Sequence, residues 1–494
     1  MIKLKLGSED SLNHPSNKEG TDKNQDNSEV KEKATLSPSP SSTSTSVLKI
    51  LLNPSMLVMV AMVILVGTGE KLAERFLPLY LIALGGGFLS VGFLSGMDNL
   101  LSALYSFPGG YLSDKIGYKK ALVVFNIMAM IGFLIVILIP TWWAVILGAL
   151  FFISWTAISL PAVMSLVANV VPKTRRTMGV TFHSLTRRIP MAIGPVIGGV
   201  IIGYYSTLYG VSYQRIGYEL IGVLSSVFGL IPGQEISLGI YGRVFGLLPG
   251  QELVAKYGRV MGIKIAFSIA LGLAAIALLL EWFFIKEKPQ EKKKPIRVRD
   301  SLRNIKPNLR ILLVSDILVR FAEQIPYAFV VIWVVDMQGL TETQFGVLTS
   351  IEMATAMLIY IPIAYLADRS TKKPFVVITF GFFTVFPLVL IFSKTFLILI
   401  IAFIIRGLKE FGEPTRKALI MDLAPEEAKA NTFGTYYLIR DVIVSIAAFS
   451  GAFLWKLNPT VNLSVAAVFG LLGTVFFAIF GKDLTSLEKG LETT

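Results

Sequence analysis

The sequence predicts an all-α membrane protein with twelve transmembrane helices in two pseudo-symmetric six-helix bundles. Three observations carry that expectation. First, 53% of the 494 residues are hydrophobic, only 16% are charged, and mean hydropathy is +0.66. Soluble domains carry about 25% charged residues, and no protein core could hide this much apolar surface, so lipid must solvate part of it. Second, the chain repeats itself. Laying Gly92–Lys119 on Gly346–Lys373 pairs Gly92 with Gly346, Leu94 with Leu348, Leu104 with Leu358, Pro108 with Pro362, Tyr111 with Tyr365, Leu112 with Leu366, Asp114 with Asp368 and Lys119 with Lys373. Third, lysine and arginine gather on alternate connections between the apolar stretches. A hydrophobic chain of two like halves is how many transporters are built, with the substrate site between the halves.

Residues 1–48 are polar, charged and rich in Ser, Thr and Pro, with Ser37-Pro38-Ser39-Pro40 leading into a Ser/Thr run. Such a segment has too little apolar surface to offset the entropy of ordering, and it lacks a signal-peptide pattern; a disordered cytoplasmic tail is expected. The first bundle, 49–285, holds apolar stretches at Leu57–Ile82, Val91–Tyr111, Lys120–Ile139, Trp142–Ala168, Met178–Tyr204 and Gly262–Phe284. Residues 286–309 form a basic cytoplasmic linker broken at Pro289 and Pro295. The second bundle, 310–481, holds Arg310–Val335, Gln344–Ala367, Pro374–Phe392, Phe396–Leu423, Thr432–Trp455 and Val461–Phe480, before a short cytoplasmic tail at 482–494. Each stretch is near the roughly 20 residues a spanning helix requires.

Between the fifth and sixth spans lies an external insert, 205–260, with a short repeat of its own. Val227–Glu235 recurs as Val244–Glu252, and Tyr241–Val244 as Tyr257–Val260. Its Gly and Pro density argues against a clean spanning helix. It reads equally as short amphipathic pieces in the outer interface or as a tandem duplication without function.

Orientation follows from the basic residues. Lys115, Lys119 and Lys120, Lys173, Arg175 and Arg176, Arg369, Lys372 and Lys373, and Arg416, Lys417 and Lys429 occupy one set of connections, together with the linker. The opposite set holds Lys394, Lys456 and, in the insert, Arg215, Arg243, Lys256 and Arg259. Positive residues stay cytoplasmic, so a multi-pass protein of the cell membrane with both termini cytoplasmic is expected.

Several function classes are excluded. With no cysteine there is no disulfide framework, thiolate nucleophile or Cys-ligated metal. Two histidines, His14 and His183, make a poor basis for a zinc or haem centre, so no metal or other cofactor is expected. No phosphate-binding loop of the ATPase kind occurs. The net charge of +13 is spread over loops rather than gathered on one exposed face, which argues against nucleic acid as a partner.

The turn after the second span reads Gly110-Tyr111-Leu112-Ser113-Asp114-Lys115-Ile116-Gly117-Tyr118-Lys119-Lys120, and Asp368-Arg369-Ser370-Thr371-Lys372-Lys373 echoes it after the eighth. The turn resembles the signature loop of the major facilitator superfamily, Gly-x-Leu-x-Asp-Arg/Lys-x-Gly-Arg/Lys-Arg/Lys, with the echo where that family has its second copy. The resemblance spans Leu57 to Phe480. It implies that Asp114, Lys115, Gly117, Asp368 and Arg369 form a gating latch. The expected acidic partner is present in the second half as Asp422, before Pro425, while Asn169 stands at the equivalent place in the first. The fifth span carries Gly194-Pro195-Val196-Ile197-Gly198-Gly199, similar to the tail of the antiporter signature of drug–proton exchangers. Thr181 and Pro190 stand where its upstream glycines would be. Glycines of this kind let helices approach closely.

Ionisable side chains at membrane depth are costly and line a pathway or pair with one another. Glu70 and Glu74 are four apart on the first span, so they share a face and crowd each other; one of them is a candidate proton carrier. Glu323 on the seventh span, Arg187 on the fifth and Arg440 on the eleventh are further candidates for coupling or substrate. Asp98 and Glu352 are matched by the repeat and are candidates either for the pathway or for bracing the two halves. Asp316, Arg320, Arg406, Lys409, Glu410, Glu413 and Asp441 are spaced for local ion pairing.

The function expected is secondary active transport of a small organic solute by alternating access, by a monomer in the lipid bilayer, coupled to protons and directed to drug or metabolite efflux. Uptake of a metabolite or organic anion, with Arg187 and Arg440 as counter-charges, is the alternative within transport. A transporter-like sensor without flux is the alternative outside it. No Ser/His or metal-ligand constellation suggests an enzyme.

Overall fold

The computed structural model describes residues 54–153, 155–170, 186–208, 251–285, 305–367, 371–425 and 429–482. Backbone polar groups find no partner in hydrocarbon, so apolar stretches close their hydrogen bonds internally, and the described elements are helices. The first predicted span is split into α1 (Pro54–Glu74) and α2 (Leu77–Ala83). The next three are α3 (Phe88–Ile116), α4 (Tyr118–Leu138), and α5 (Trp142–Phe152) with α6 (Trp155–Val170). The fifth and sixth are α7 (Thr186–Leu208) and α8 (Gln251–Phe284). In the second half, α9 (Pro307–Tyr327), α10 (Val330–Ile332) and a π-helical turn, Trp333–Met337, form the seventh span. Then follow α11 (Glu342–Ala367), α12 (Lys373–Phe392), α13 (Phe396–Leu408) with α14 (Glu413–Leu423), α15 (Lys429–Leu457) and α16 (Pro459–Phe480). Among the described residues, seven helical runs, with α5 and the start of α6 counted as one, are long and apolar enough to cross a bilayer, and the seventh span makes an eighth despite a 43° bend.

The breaks have local causes. A proline ring lacks a donor and clashes with the carbonyl four residues back. Pro78 thus ends α1 at Glu74, with a turn at Arg75 and Phe76. Pro414 acts likewise on the tenth span, which is broken over residues 409–412. In the seventh span, Pro326 precedes the bend between α9 and α10. Each break drops charged or polar side chains at a helix end inside the protein.

Helix runs into both ends of the predicted insert. Tyr205–Leu208 completes α7, and Gln251–Val260 is the first part of α8. That stretch holds no proline after Pro249, and Gly258 lets it lie against Tyr205 and Ser206, where a Cβ would meet backbone at 2.7 Å. The tandem-repeat core at 209–250, the terminal tails, the linker 286–304 and His183 lie outside the described residues.

The halves meet through glycines. On α3, a Cβ at Gly92 would strike Ala452 of α15, and one at Gly96 would meet Ser445 and Phe449 at 3.1 Å. On α7, Gly199 and Gly203 abut Glu342 and Thr343 of α11, and Gly346 abuts Pro195. The Thr343 hydroxyl donates to the Gly199 carbonyl at 3.1 Å. Arg259 of α8 pairs with Glu342 at 2.8 Å and Asp336 at 3.1 Å. These contacts lie toward the helix ends away from the Lys/Arg-rich connections. Toward the basic end of α3 and α11, Leu104, Tyr111, Leu358 and Leu366 are exposed.

Candidate functional site

Two of the helix breaks face one another. Arg75, in the turn after α1, lies with its guanidinium carbon 5.0 Å from the centre of the Tyr327 ring at the end of α9, and Arg406 of α13 lies 5.5 Å from the same ring. Around them is a cavity walled by both halves of the chain. Its polar lining is Glu74, Arg75, Ser95, Asp98, Tyr327 and Arg406, and its apolar lining includes Leu77, Val91, Leu94 and Phe345.

The predicted acids divide into two kinds. Glu70 and Glu74 do not repel each other unmatched, because the Lys71 ammonium lies between them, 3.2 Å from Glu70 and in contact with Glu74. The crowding read from their spacing is thus relieved by the residue between them. Glu323 is held by Arg320 and by Lys409 at 2.7 Å. Glu352, fully buried, is 3.3 Å from both Arg406 and Lys409. Those two ion-pair partners belong to its own half. Its close approach to the tenth span depends on Gly407, whose absent Cβ would meet the Glu352 carbonyl at 2.5 Å. Asp98 differs: it accepts a hydrogen bond from the Ser102 hydroxyl at 3.4 Å, and no basic side chain pairs with it among the described residues.

Arg440 is tied to Asp441 at 2.7 Å and to Asp316 at 3.3 Å, which leaves it little freedom as a counter-charge for solute. Arg187 lines a separate pocket with Glu70, Lys71, Trp155 and Ser159. Arg188 reaches across the halves to Glu410 at 3.3 Å, as does Asn99, which donates to Gln324 at 3.1 Å.

Sequence reasoning missed the centre of the second half. Arg416 was counted among loop charges, but it is buried and pairs with Asp316, and with Glu413 at 2.5 Å. The Tyr436 hydroxyl donates to the other Asp316 oxygen at 3.0 Å. The signal available was Pro414, which starts α14 early enough to bury Arg416 in its first turn. Glu281 of α8 is also buried, beside the Asn126 amide at 3.5 Å, and its signal was an acid within the predicted sixth span.

In the predicted latch, Gly117 has φ +89° and joins α3 to α4 in a single residue, a conformation that favours glycine. Asp114 and Lys115 end α3, with the Lys115 ammonium 5.7 Å from the Tyr111 ring centre. Asp422 pairs with Lys372; Asp368 and Arg369 lie outside the described residues. In the fifth-span motif, Gly194 and Gly198 lie against Lys71 and Leu72 of α1, so close that a Cβ at Gly198 would overlap the Leu72 carbonyl. Pro195 and Gly199 face α11, as described above.

Comparison with known proteins agrees with this architecture. The chain is 20% identical over 413 residues to an uncharacterised MFS-type transporter of Methanocaldococcus jannaschii, covering 82% of this chain and 89% of that protein. Its fold is similar to that of the nucleoside transporter NupG, with a TM-score of 0.62 at 12% identity over 87% of this chain and 99% of that one. It is likewise similar to a bacterial homologue of the human lysosomal transporter Spinster, in an inward-facing and occupied conformation. There the TM-score is 0.60 at 14% identity, over 88% of this chain and 96% of that one. The profile of the Major Facilitator Superfamily matches residues 56–232 and 312–492, which together make up most of the chain. With this match and the all-helical fold, the chain belongs to the major facilitator superfamily, a family of multi-pass membrane transporters rather than enzymes.

Proposed function

We propose that this secondary transporter moves a small organic solute through the cavity beside Arg75 and Tyr327, in exchange for protons and in the direction of efflux. The observation that supports this reading most is Asp98. It is an acid at membrane depth, in a cavity walled by both halves, with no basic partner among the described residues. Carboxylates already bound to Lys or Arg, as Glu323 and Glu352 are, gain little from a proton. One without a cation has a reason to take and release one. The contacts among Gly92, Gly96, Phe449 and Ala452, and those between α7 and α11, favour access from the basic end, the arrangement that an exporter loads from.

The test uses proteoliposomes and a broad panel of small solutes, with a pH gradient imposed and then collapsed by an uncoupler. The expected result is uphill movement of at least one solute that the uncoupler stops. Asp98→Asn should abolish gradient-driven movement. Full gradient-driven flux in that variant would rule out Asp98 as the coupling group. Uptake rather than export would reverse the direction proposed, and binding without any flux would support a sensor instead.

A further inference from the structure

The charges that line the central cavity are not equally available to a solute. Glu74 is neutralised by Lys71, and Arg406 by Glu352. Two remain. Arg75 makes no ion pair among the described residues; its recorded contact is with the face of the Tyr327 ring. Asp98 has, among the described residues, only the Ser102 hydroxyl as a hydrogen-bond partner. The two line the same cavity from different elements, the turn after α1 and the middle of α3, and do not pair with each other.

A charge held out of water without a counter-charge is expensive, and each of these would be relieved by an opposite charge brought in by a ligand. An anion would satisfy Arg75 and leave Asp98 unmatched. A cation would do the reverse, and a neutral solute would satisfy neither. A guanidinium presents a planar fork that fits a carboxylate through two parallel hydrogen bonds. The remaining wall, at Leu77, Val91, Leu94 and Phe345, is apolar.

We propose that the solute is zwitterionic: its carboxylate pairs with Arg75, its ammonium pairs with Asp98, and its apolar body lies along Val91, Leu94 and Phe345. This rests on the reading of the cavity as the transport site. It also gives Asp98 two competing occupants, a proton and an ammonium, which is what exchange of one for the other requires.

The test is binding to the purified full-length protein in nanodiscs, with three probes of one skeleton: phenylalanine, 3-phenylpropionate, which lacks the ammonium, and 2-phenylethylamine, which lacks the carboxylate. Phenylalanine should bind at least about tenfold tighter than either relative, as expected for one extra hydrogen-bonded charge. Arg75→Gln should weaken phenylalanine by about tenfold and leave 2-phenylethylamine unchanged. Retained amine binding shows that the variant is folded. Asp98→Asn should weaken phenylalanine and the amine and spare 3-phenylpropionate. Equal binding of phenylalanine and either relative, or no binding of any probe up to about 10 mM, would overturn the proposal. Flux is measured separately. Zwitterion binding without flux defeats the transport reading and leaves this one standing, whereas flux of a singly charged solute with no zwitterion preference does the opposite.

Discussion

At the scale of single residues, the charges of this protein are sorted by whether a neighbour already answers them. Asp316 is shared among Arg416, Arg440 and Tyr436 across three helices. Removing one member leaves a buried charge short of its partner, which costs about 3–5 kcal/mol. Arg416→Met should therefore lower the melting temperature in detergent, and adding Asp316→Asn should recover much of the loss; an unchanged melting curve in the single variant would contradict this. Glu323 stands in the same category. Glu323→Gln frees one side of Lys409 and should weaken stability while leaving proton coupling in vesicles intact, the reverse of Asp98→Asn. Spacing along one helix identified Glu323, Arg320 and Glu74 as charged and mutually reachable. It could not assign Lys409 to Glu323 or Asp316 to Arg416, because those pairs join side chains 86 and 100 residues apart.

At the scale of elements, prolines and glycines set the geometry. Pro78 and Pro414 break their spans where charge is needed, and both are legible in sequence because the steric clash is local. The glycines of α7 are legible only as a motif; what they touch is decided by packing. Gly198→Leu should force α7 off α1, since the new side chain collides with the Leu72 carbonyl, at a cost of about 1–3 kcal/mol. Gly272→Ala, with nothing within 4 Å of the new Cβ, should be neutral or stabilise by about 0.5–1 kcal/mol. Parallel thermal melts and flux assays check the pair, and equal losses in both would count against close packing at Gly198. The sixth span shows the limit of local reading: Gly and Pro density argued against a clean spanning helix up to Val260, yet Gly258 serves a close approach between α7 and α8.

At the scale of the whole molecule, Arg259 joins α8 to Asp336 and Glu342 of the other half, beside the π-helical turn at Trp333–Met337. We expect Arg259→Gln to loosen that end. Partly exposed ion pairs are worth about 0.2–1 kcal/mol each, so a Val335→Cys reporter should label about two- to fivefold faster with a membrane-impermeant maleimide. Equal rates would show that closure does not depend on these pairs. The natural chain has no cysteine, so single reporters carry no background. Lys120→Cys and Lys373→Cys should label from the same side of the membrane, as the parallel repeat requires; opposite sides would defeat the duplication. Hydropathy, the repeat and the basic loops were enough to predict a twelve-span helical transporter, because membrane insertion acts on each segment's own composition and leaves its trace in consecutive residues. Which charges answer each other, and which stay open to a solute, emerged only when distant helices came together, since an ion pair depends on distance in space and not on separation along the chain.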